Sequence, residues 1–254
     1  MNIKKFELKS NGQRIVGQIS YPLKTPCPAV ILLHGFTNTA DDCPINRDLF
    51  DILPSKGYAA IEFDFIGSGI SDGIFRDKTL KNMYKNYKDV LALVKKDKLI
   101  TNIGVVGKSI CGIFPVMKND KRVRSVVLLS TAIRPTIQFY RAWRKKAGYN
   151  FIYFGKAKDP DVNLVLGQDF FRELSELEEE TLANLPKIKN VIHFHGTADA
   201  SCPFDQGHFH HLKHTLPRPF RSVLIEGVGH QYEGKENIVI TESIKWFNKY
   251  LPVK

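Results

Sequence analysis

Cysteine, long apolar runs and acidic charge are all in short supply in this chain, and each shortage narrows what it can be. Only 4 of 254 residues are cysteine (Cys27, Cys43, Cys111 and Cys202). They are scattered, with no Cys-x-x-Cys spacing, so reduced thiols are expected. No uninterrupted apolar stretch approaches the ~18 residues of a membrane-spanning helix, which argues against integral membrane association. The segment Met1-Asn2-Ile3-Lys4-Lys5-Phe6-Glu7 lacks the apolar core and cleavage site of a secretory leader, so a cytoplasmic location is the expectation. Internal repeats and low-complexity linkers are missing too. Acidic residues number 26 against 37 basic ones, for a formal net charge of +11.

That basic excess raises the question of a nucleic-acid partner. Its distribution answers against one, because lysine and arginine are spread along the chain. The denser groups are Lys81, Lys85, Lys88, Lys95, Lys96 and Lys98, on the polar face of a predicted amphipathic helix, and the run Arg141-Ala142-Trp143-Arg144-Lys145-Lys146. Both read as solvated helix surface.

What is present is an ordinary globular composition, 43% hydrophobic and 25% charged, with ample core for one folded unit. Residues 1–254 are expected to form a single α/β domain, since such architectures reach ~200–250 residues as one unit. Two alternating runs, 6–10 and 14–20, flank the turn signal Asn11-Gly12 and predict a hairpin. Strands are then expected up to His34, over Tyr58 to Phe65, before Ser109 and over Val123 to Leu129. Helices are expected near Cys43 to Lys56, over Thr79 to Lys96 and over Ile110 to Met117. In the second of these, Met83, Tyr87, Val90, Leu91 and Val94 keep helical spacing. Strand–helix alternation implies a mostly parallel central sheet with helices on both faces.

The stretch Gly107-Lys108-Ser109-Ile110-Cys111-Gly112 follows the apolar run Asn102 to Val106 and opens an apolar helix. A serine at such a strand-to-helix turn exposes its hydroxyl above free backbone N–H groups, which can hold a developing negative charge. Asp199 lies just past the run Val191 to Gly196, and His230 just past the run Ser222 to Glu226. All three therefore fall beyond the carboxyl ends of predicted strands, where open parallel sheets form their binding crevice. A serine hydroxyl is a poor nucleophile. An imidazole that takes its proton and a carboxylate that orients the imidazole would complete the chemistry.

These residues, in the order Ser, Asp, His, resemble the serine esterase and lipase type of α/β-hydrolase. Val30-Ile31-Leu32-Leu33-His34-Gly35-Phe36 is similar to that family's strand and His-Gly turn. Phe63-Asp64-Phe65-Ile66-Gly67-Ser68-Gly69-Ile70-Ser71-Asp72-Gly73 is similar to its Asp-x-x-Gly-x-Gly-x-Ser loop. The resemblance runs from about Ala29 to the C-terminus. It implies an α/β-hydrolase fold with Ser109 as nucleophile, His230 as base and Asp199 as acid, and with the backbone N–H groups of Phe36 and Ile110 as the oxyanion hole. It implies no metal and no organic cofactor. One departure is Cys111, where the family mostly carries glycine; a small, commonly buried residue fits that place.

Residues 133–185 interrupt the alternation and are rich in aromatics, among them Phe139, Tyr140, Trp143, Tyr149, Phe151, Tyr153, Phe154, Phe170 and Phe171. They read as a small cap insertion with a hairpin pairing 151–154 with 162–166, similar to the caps of cinnamoyl and feruloyl esterases. Glu176 to Glu180 reads as a solvated helix face. His34 is expected to orient the oxyanion turn and His195 to be a satisfied histidine near the core. His208, His210, His211 and His214 read as surface residues of one helix, not as a zinc site.

The activity expected is hydrolysis of small to medium carboxylic esters through an acyl-enzyme. Acyl-thioesters, monoacylglycerols and lysophospholipids would need the same residues. A non-catalytic small-molecule-binding relative is the alternative of a different class.

Overall fold

The computed structural model describes residues 2–75, 78–136, 168–204 and 212–253, together with the backbone of 153–154 and 164–165. The alternating amino-terminal runs form a hairpin of β1 (Asn2–Ser10) and β2 (Gln13–Tyr21). Its two turn residues, Asn11 and Gly12, have φ of 50° and 80°, the left-handed pair that a tight hairpin needs. There follow β3 (Cys27–Leu33), α1 (Pro44–Ile52), β4 (Ala59–Phe63), α2 (Leu80–Lys96) and β5 (Ile100–Lys108). A 3-10 turn over Ser109–Ile113 leads into the short α3 (Phe114–Met117), then β6 (Val123–Leu129). The insertion supplies β7 (Tyr153–Phe154), β8 (Leu164–Val165) and α4 (Gln168–Asn184). The chain closes with β9 (Val191–Gly196), β10 (Phe220–Ile225) and α5 (Glu236–Tyr250).

Eight strands share one sheet in the order β1-β2-β4-β3-β5-β6-β9-β10. From β4 to β10 every neighbouring pair is parallel. The hairpin adds to the β4 edge in antiparallel fashion. The chain leaves β3 toward β4 on one side and later returns to β5 on the other. The order therefore reverses between β3 and β5, and a crevice opens beyond their carboxyl ends. The Gly35-Phe36 turn and Ser109 both lie there.

Side-chain alternation sends the strands' apolar residues to opposite faces. Ala29, Ile31 and Leu33 of β3 pack with Met83, Tyr87, Val90 and Val94 of α2 and with Phe170, Leu174 and Leu177 of α4. Val30 and Leu32 pack instead with Ile45, Leu49 and Phe50 of α1 and Val239, Trp246 and Phe247 of α5. Helix α2 begins where its sequence says it should: the Thr79 hydroxyl accepts from Asn82 N–H at 3.2 Å, a side-chain N-cap.

Two expectations need correction. The helix after Ser109 is not continuous over 110–117; a 3-10 turn precedes a four-residue α-helix. Pro115 has no N–H to give to the carbonyl four residues back, so the first turn closes in the tighter form. Nor is Glu178 on a solvated face. It is 8% exposed, accepting from Thr136 N–H at 2.9 Å and from Arg134 at 3.4 Å, so the start of the insertion is tied to α4. In the expected cap hairpin, Tyr153 pairs with Val165 and Phe154 with Leu164 in antiparallel register; the rest of both runs lies outside the described residues.

Candidate active site

Strand β5 ends at Lys108, and Ser109 turns the chain with φ of 54°. A side chain with a β-carbon pays a conformational cost in that region, and such positions persist only where the surroundings enforce them. Close packing supplies the enforcement. A β-carbon on Gly107 would stand 2.5 Å from the Gly112 α-carbon, and one on Gly112 would stand 2.1 Å from Thr131 Oγ1. Ser109 itself is half-buried. Cys111 is fully buried, and burial pushes its thiol far above the ordinary range, which makes it an inert packed residue and no rival for the serine.

Asp199 and His230 meet. The His230 ring donates from Nδ1 to Asp199 Oδ2 at 2.7 Å, with the carboxylate buried and the ring side chain 14% exposed. Their loops are locked to each other: Ala198 N–H donates to the Val228 carbonyl at 3.1 Å and Gly227 N–H to the Thr197 hydroxyl at 2.9 Å. Gly196 permits this approach, since a β-carbon there would meet the Val228 carbonyl oxygen at 2.1 Å. Asp199 Oδ1 also accepts from the N–H groups of Ser201 at 3.0 Å and Cys202 at 2.7 Å. Burial works to raise the Asp199 carboxyl, but the bond and charge of His230, with help from Cys202 N–H, outweigh it and the net direction is down. The His230 ring is held below its ordinary value by burial, against the pull of Asp199 and with further lowering from Lys108 and His195. At neutral pH the pair is thus a carboxylate and a neutral imidazole with Nε2 available as a base. Among the described residues no hydrogen bond joins the Ser109 hydroxyl to that ring, a looseness common before substrate binds.

On the other side of Ser109 lies the turn after β3. His34 is 1% exposed; its Nδ1 faces the Gly35 carbonyl at 2.8 Å and its Nε2 accepts from Phe65 N–H at 3.2 Å. Burial, with the charge of Lys78, pushes His34 down to about 3, so it is a neutral strut, as its sequence position suggests. Asp64 spans the neighbouring loops by accepting from Ala40 N–H at 2.8 Å and Ile70 N–H at 3.0 Å. Phe36 packs against Phe170 of α4 and Phe75, ring centres 4.8 and 5.2 Å apart. Phe36 and Ile110, whose N–H groups are the expected oxyanion donors, are both buried.

Two lysines with no sequence signal for burial flank this site, Lys78 and Lys108, each 2% exposed. The Lys78 ammonium donates to the Phe36 carbonyl at 2.6 Å and to the Ser68 hydroxyl. It also lies 5.1 Å from the Phe36 ring centre and 4.9 Å from that of Phe75. Burial pushes it down to about 8. No pattern at Lys78 distinguishes it from the surface lysines around it, because its partners come from loops distant in sequence. Ser130 and Tyr232 likewise carry no sequence signal; the Ser130 hydroxyl donates to Tyr232 Oη, which donates to the Phe194 carbonyl, both at 2.9 Å.

His195 is 1% exposed, with Nε2 donating to the Cys202 carbonyl at 2.8 Å and Nδ1 3.3 Å from His193 Nε2. It is the satisfied near-core histidine expected. His208, His210, His211 and the basic run 141–146 lie outside the described residues. Among the described residues no cluster of His, Cys, Asp and Glu is arranged to hold a metal, and no helix is long and apolar enough to cross a membrane.

No protein-family model matches the chain, and no curated protein matches it in sequence. Solved structures do match. Est1E from Butyrivibrio proteoclasticus, solved with ferulic acid bound, superposes with a TM-score of 0.79 at 21% identity, covering 97% of this chain and 99% of its own. The α/β-hydrolase GrgF from Penicillium sp. sh18 superposes with a TM-score of 0.72 at 15% identity, covering 98% and 99%. The fold is that of the α/β-hydrolases. A Pyrococcus furiosus esterase, Pf2001, shares this α/β-hydrolase fold with a TM-score of 0.71 at 17% identity, covering 98% of this chain and 91% of its own.

Proposed function

We propose that the protein is a serine hydrolase that cleaves carboxylic esters of small to medium size. The observation that carries this reading is the 2.7 Å Asp199–His230 bond on the same sheet edge as a serine held at φ of 54°. Ser109 attacks the ester carbonyl while His230 takes its proton, and Asp199 stabilises the imidazolium that forms. The N–H groups of Phe36 and Ile110 hold the oxyanion; losing one such donor typically costs about 10²–10³ in rate. His230 then protonates the leaving alcohol. Water, activated by the same imidazole, hydrolyses the acyl-enzyme. The chemistry calls for no metal and no organic cofactor. Residues 133–185, of which 137–152, 155–163 and 166–167 lie outside the described residues, are assigned as a cap, and the ferulic acid in the structurally similar Est1E supports an aromatic acyl part as one substrate to try.

The test is peptide mass analysis after exposure to a fluorophosphonate, with Ser109→Ala beside the wild type. One adduct on Ser109, absent from the variant, is the expected result. A folded wild type that stays unlabelled would overturn the reading in favour of a binding protein. A panel of aryl esters, acyl-thioesters and lysophospholipids then assigns the substrate class.

A further inference from the structure

We infer that Lys108 is a positioning residue for the base: its buried ammonium ties the His230 loop to the residue that precedes the nucleophile. This rests on the hydrolase reading for its consequence in catalysis, but not for its geometry. The Lys108 ammonium donates to the His230 backbone carbonyl and stands 4.7 Å from the Tyr232 ring centre. Among the described residues no carboxylate lies within ion-pair distance of it. An ammonium 2% exposed whose partners among the described residues are a carbonyl and a ring is expensive to bury, and an apolar side chain there would avoid that cost.

The surroundings are built to receive it. A β-carbon on Gly35 would come 3.5 Å from Lys108 Cγ, so the lysine stem runs beside the Gly35-Phe36 turn on its way to the His230 loop. Tyr232, which the ammonium faces, is anchored through its hydroxyl to Ser130 and to the Phe194 carbonyl. One side chain at the end of β5 thereby meets the turn after β3 and the loop after β10. Its position beside Ser109 means that any shift of the His230 loop moves against the nucleophile turn itself.

Charge adds a second effect. The groups acting on His230 are Asp199, Lys108 and His195, and of these Lys108 and His195 lower its proton affinity while Asp199 raises it. Lys108 in turn is pushed down to about 8 by burial, opposed by Cys43, Asp199, Cys202 and Glu233. A cation beside the base favours the neutral ring that general-base catalysis needs.

Lys108→Met and Lys108→Arg, with the wild type, supply the test. The readouts are the His230 ring titration by NMR, assigned with His230→Gln, and the pH dependence of p-nitrophenyl acetate hydrolysis. In Lys108→Met the ring titration and the acid limb of kcat/KM should move together to higher pH, with kcat down ~10²-fold from the misplaced base. In Lys108→Arg, whose charge persists at all working pH, the acid limb should return to its wild-type position and any inflection near pH 8 should vanish. A folded Lys108→Met protein whose His230 ring titrates as in the wild type would overturn the inference. If that variant does not fold, Lys108→Gln replaces it, and a His230 ring that titrates there as in the wild type overturns the inference. Absence of ester turnover and of fluorophosphonate labelling in the wild type would sink the hydrolase reading alone, since the ring titration still reports on Lys108.

Discussion

Asp199 accepts from His230 with one oxygen and from the N–H groups of Ser201 and Cys202 with the other. In Asp199→Asn the amide oxygen can keep the loop bonds, so the fold should survive, while the charge that, on the proposed hydrolase reading, stabilises an imidazolium is gone. A fall in kcat of about 10⁴ is expected, the size seen for this change in a serine-protease triad, with KM little altered; steady-state kinetics on a chromogenic ester check it. The same pair fixes a pH dependence. Burial holds the His230 ring below its ordinary 6.5, and the base works only when neutral. The acid limb of kcat/KM should therefore lie below pH 6.5. The strand ends that lie shortly before Ser109, Asp199 and His230 were legible, because each closes an apolar run of strand length. Lys78 was not: a lysine's burial is decided by the loops that fold over it, here those carrying Phe36 and Ser68.

At the scale of elements, the strand-to-helix turn depends on Gly112 lying against Thr131 of the loop after β6. Gly112→Ala places a methyl group 2.1 Å from Thr131 Oγ1, and overpacking of this kind typically costs about 1–3 kcal/mol. Denaturant unfolding should show that loss, and Thr131→Ala in the same chain should recover part of it by removing the nearest atom. Strands β3, β5, β6 and β9 could be read directly, since buried parallel strands are continuous apolar runs. The same signal misleads after Ser109, because apolar content alone does not reveal that Pro115 breaks the hydrogen-bond pattern. Glu178 reads as solvated in the sequence because its partners, Arg134 and Thr136, lie across the insertion and not along its helix.

For the whole molecule, the formal charge of +11 hides a distinction between solvated and buried cations. Lys78 releases its proton at about 8 when folded, against 10.5 ordinarily. Between those values the unfolded chain holds more protons than the folded one, so stability rises with pH through that window. The displacement corresponds to about 3 kcal/mol. Lys78→Met lacks this contribution, and its stability relative to the wild type should decline between pH 8 and 10 by that order, measured by urea unfolding at each pH.

The separation of the site along the chain has a consequence for biosynthesis. Ser109 leaves the ribosome well before Asp199 and His230, and the sheet position that holds them is not complete until β9 and β10 have paired. On the hydrolase reading, the nascent chain carries a silent serine for most of its translation. Acylating reagents and metabolites in the cell then meet no activated nucleophile until the last strands dock, so a polypeptide stalled short of β10 is chemically inert.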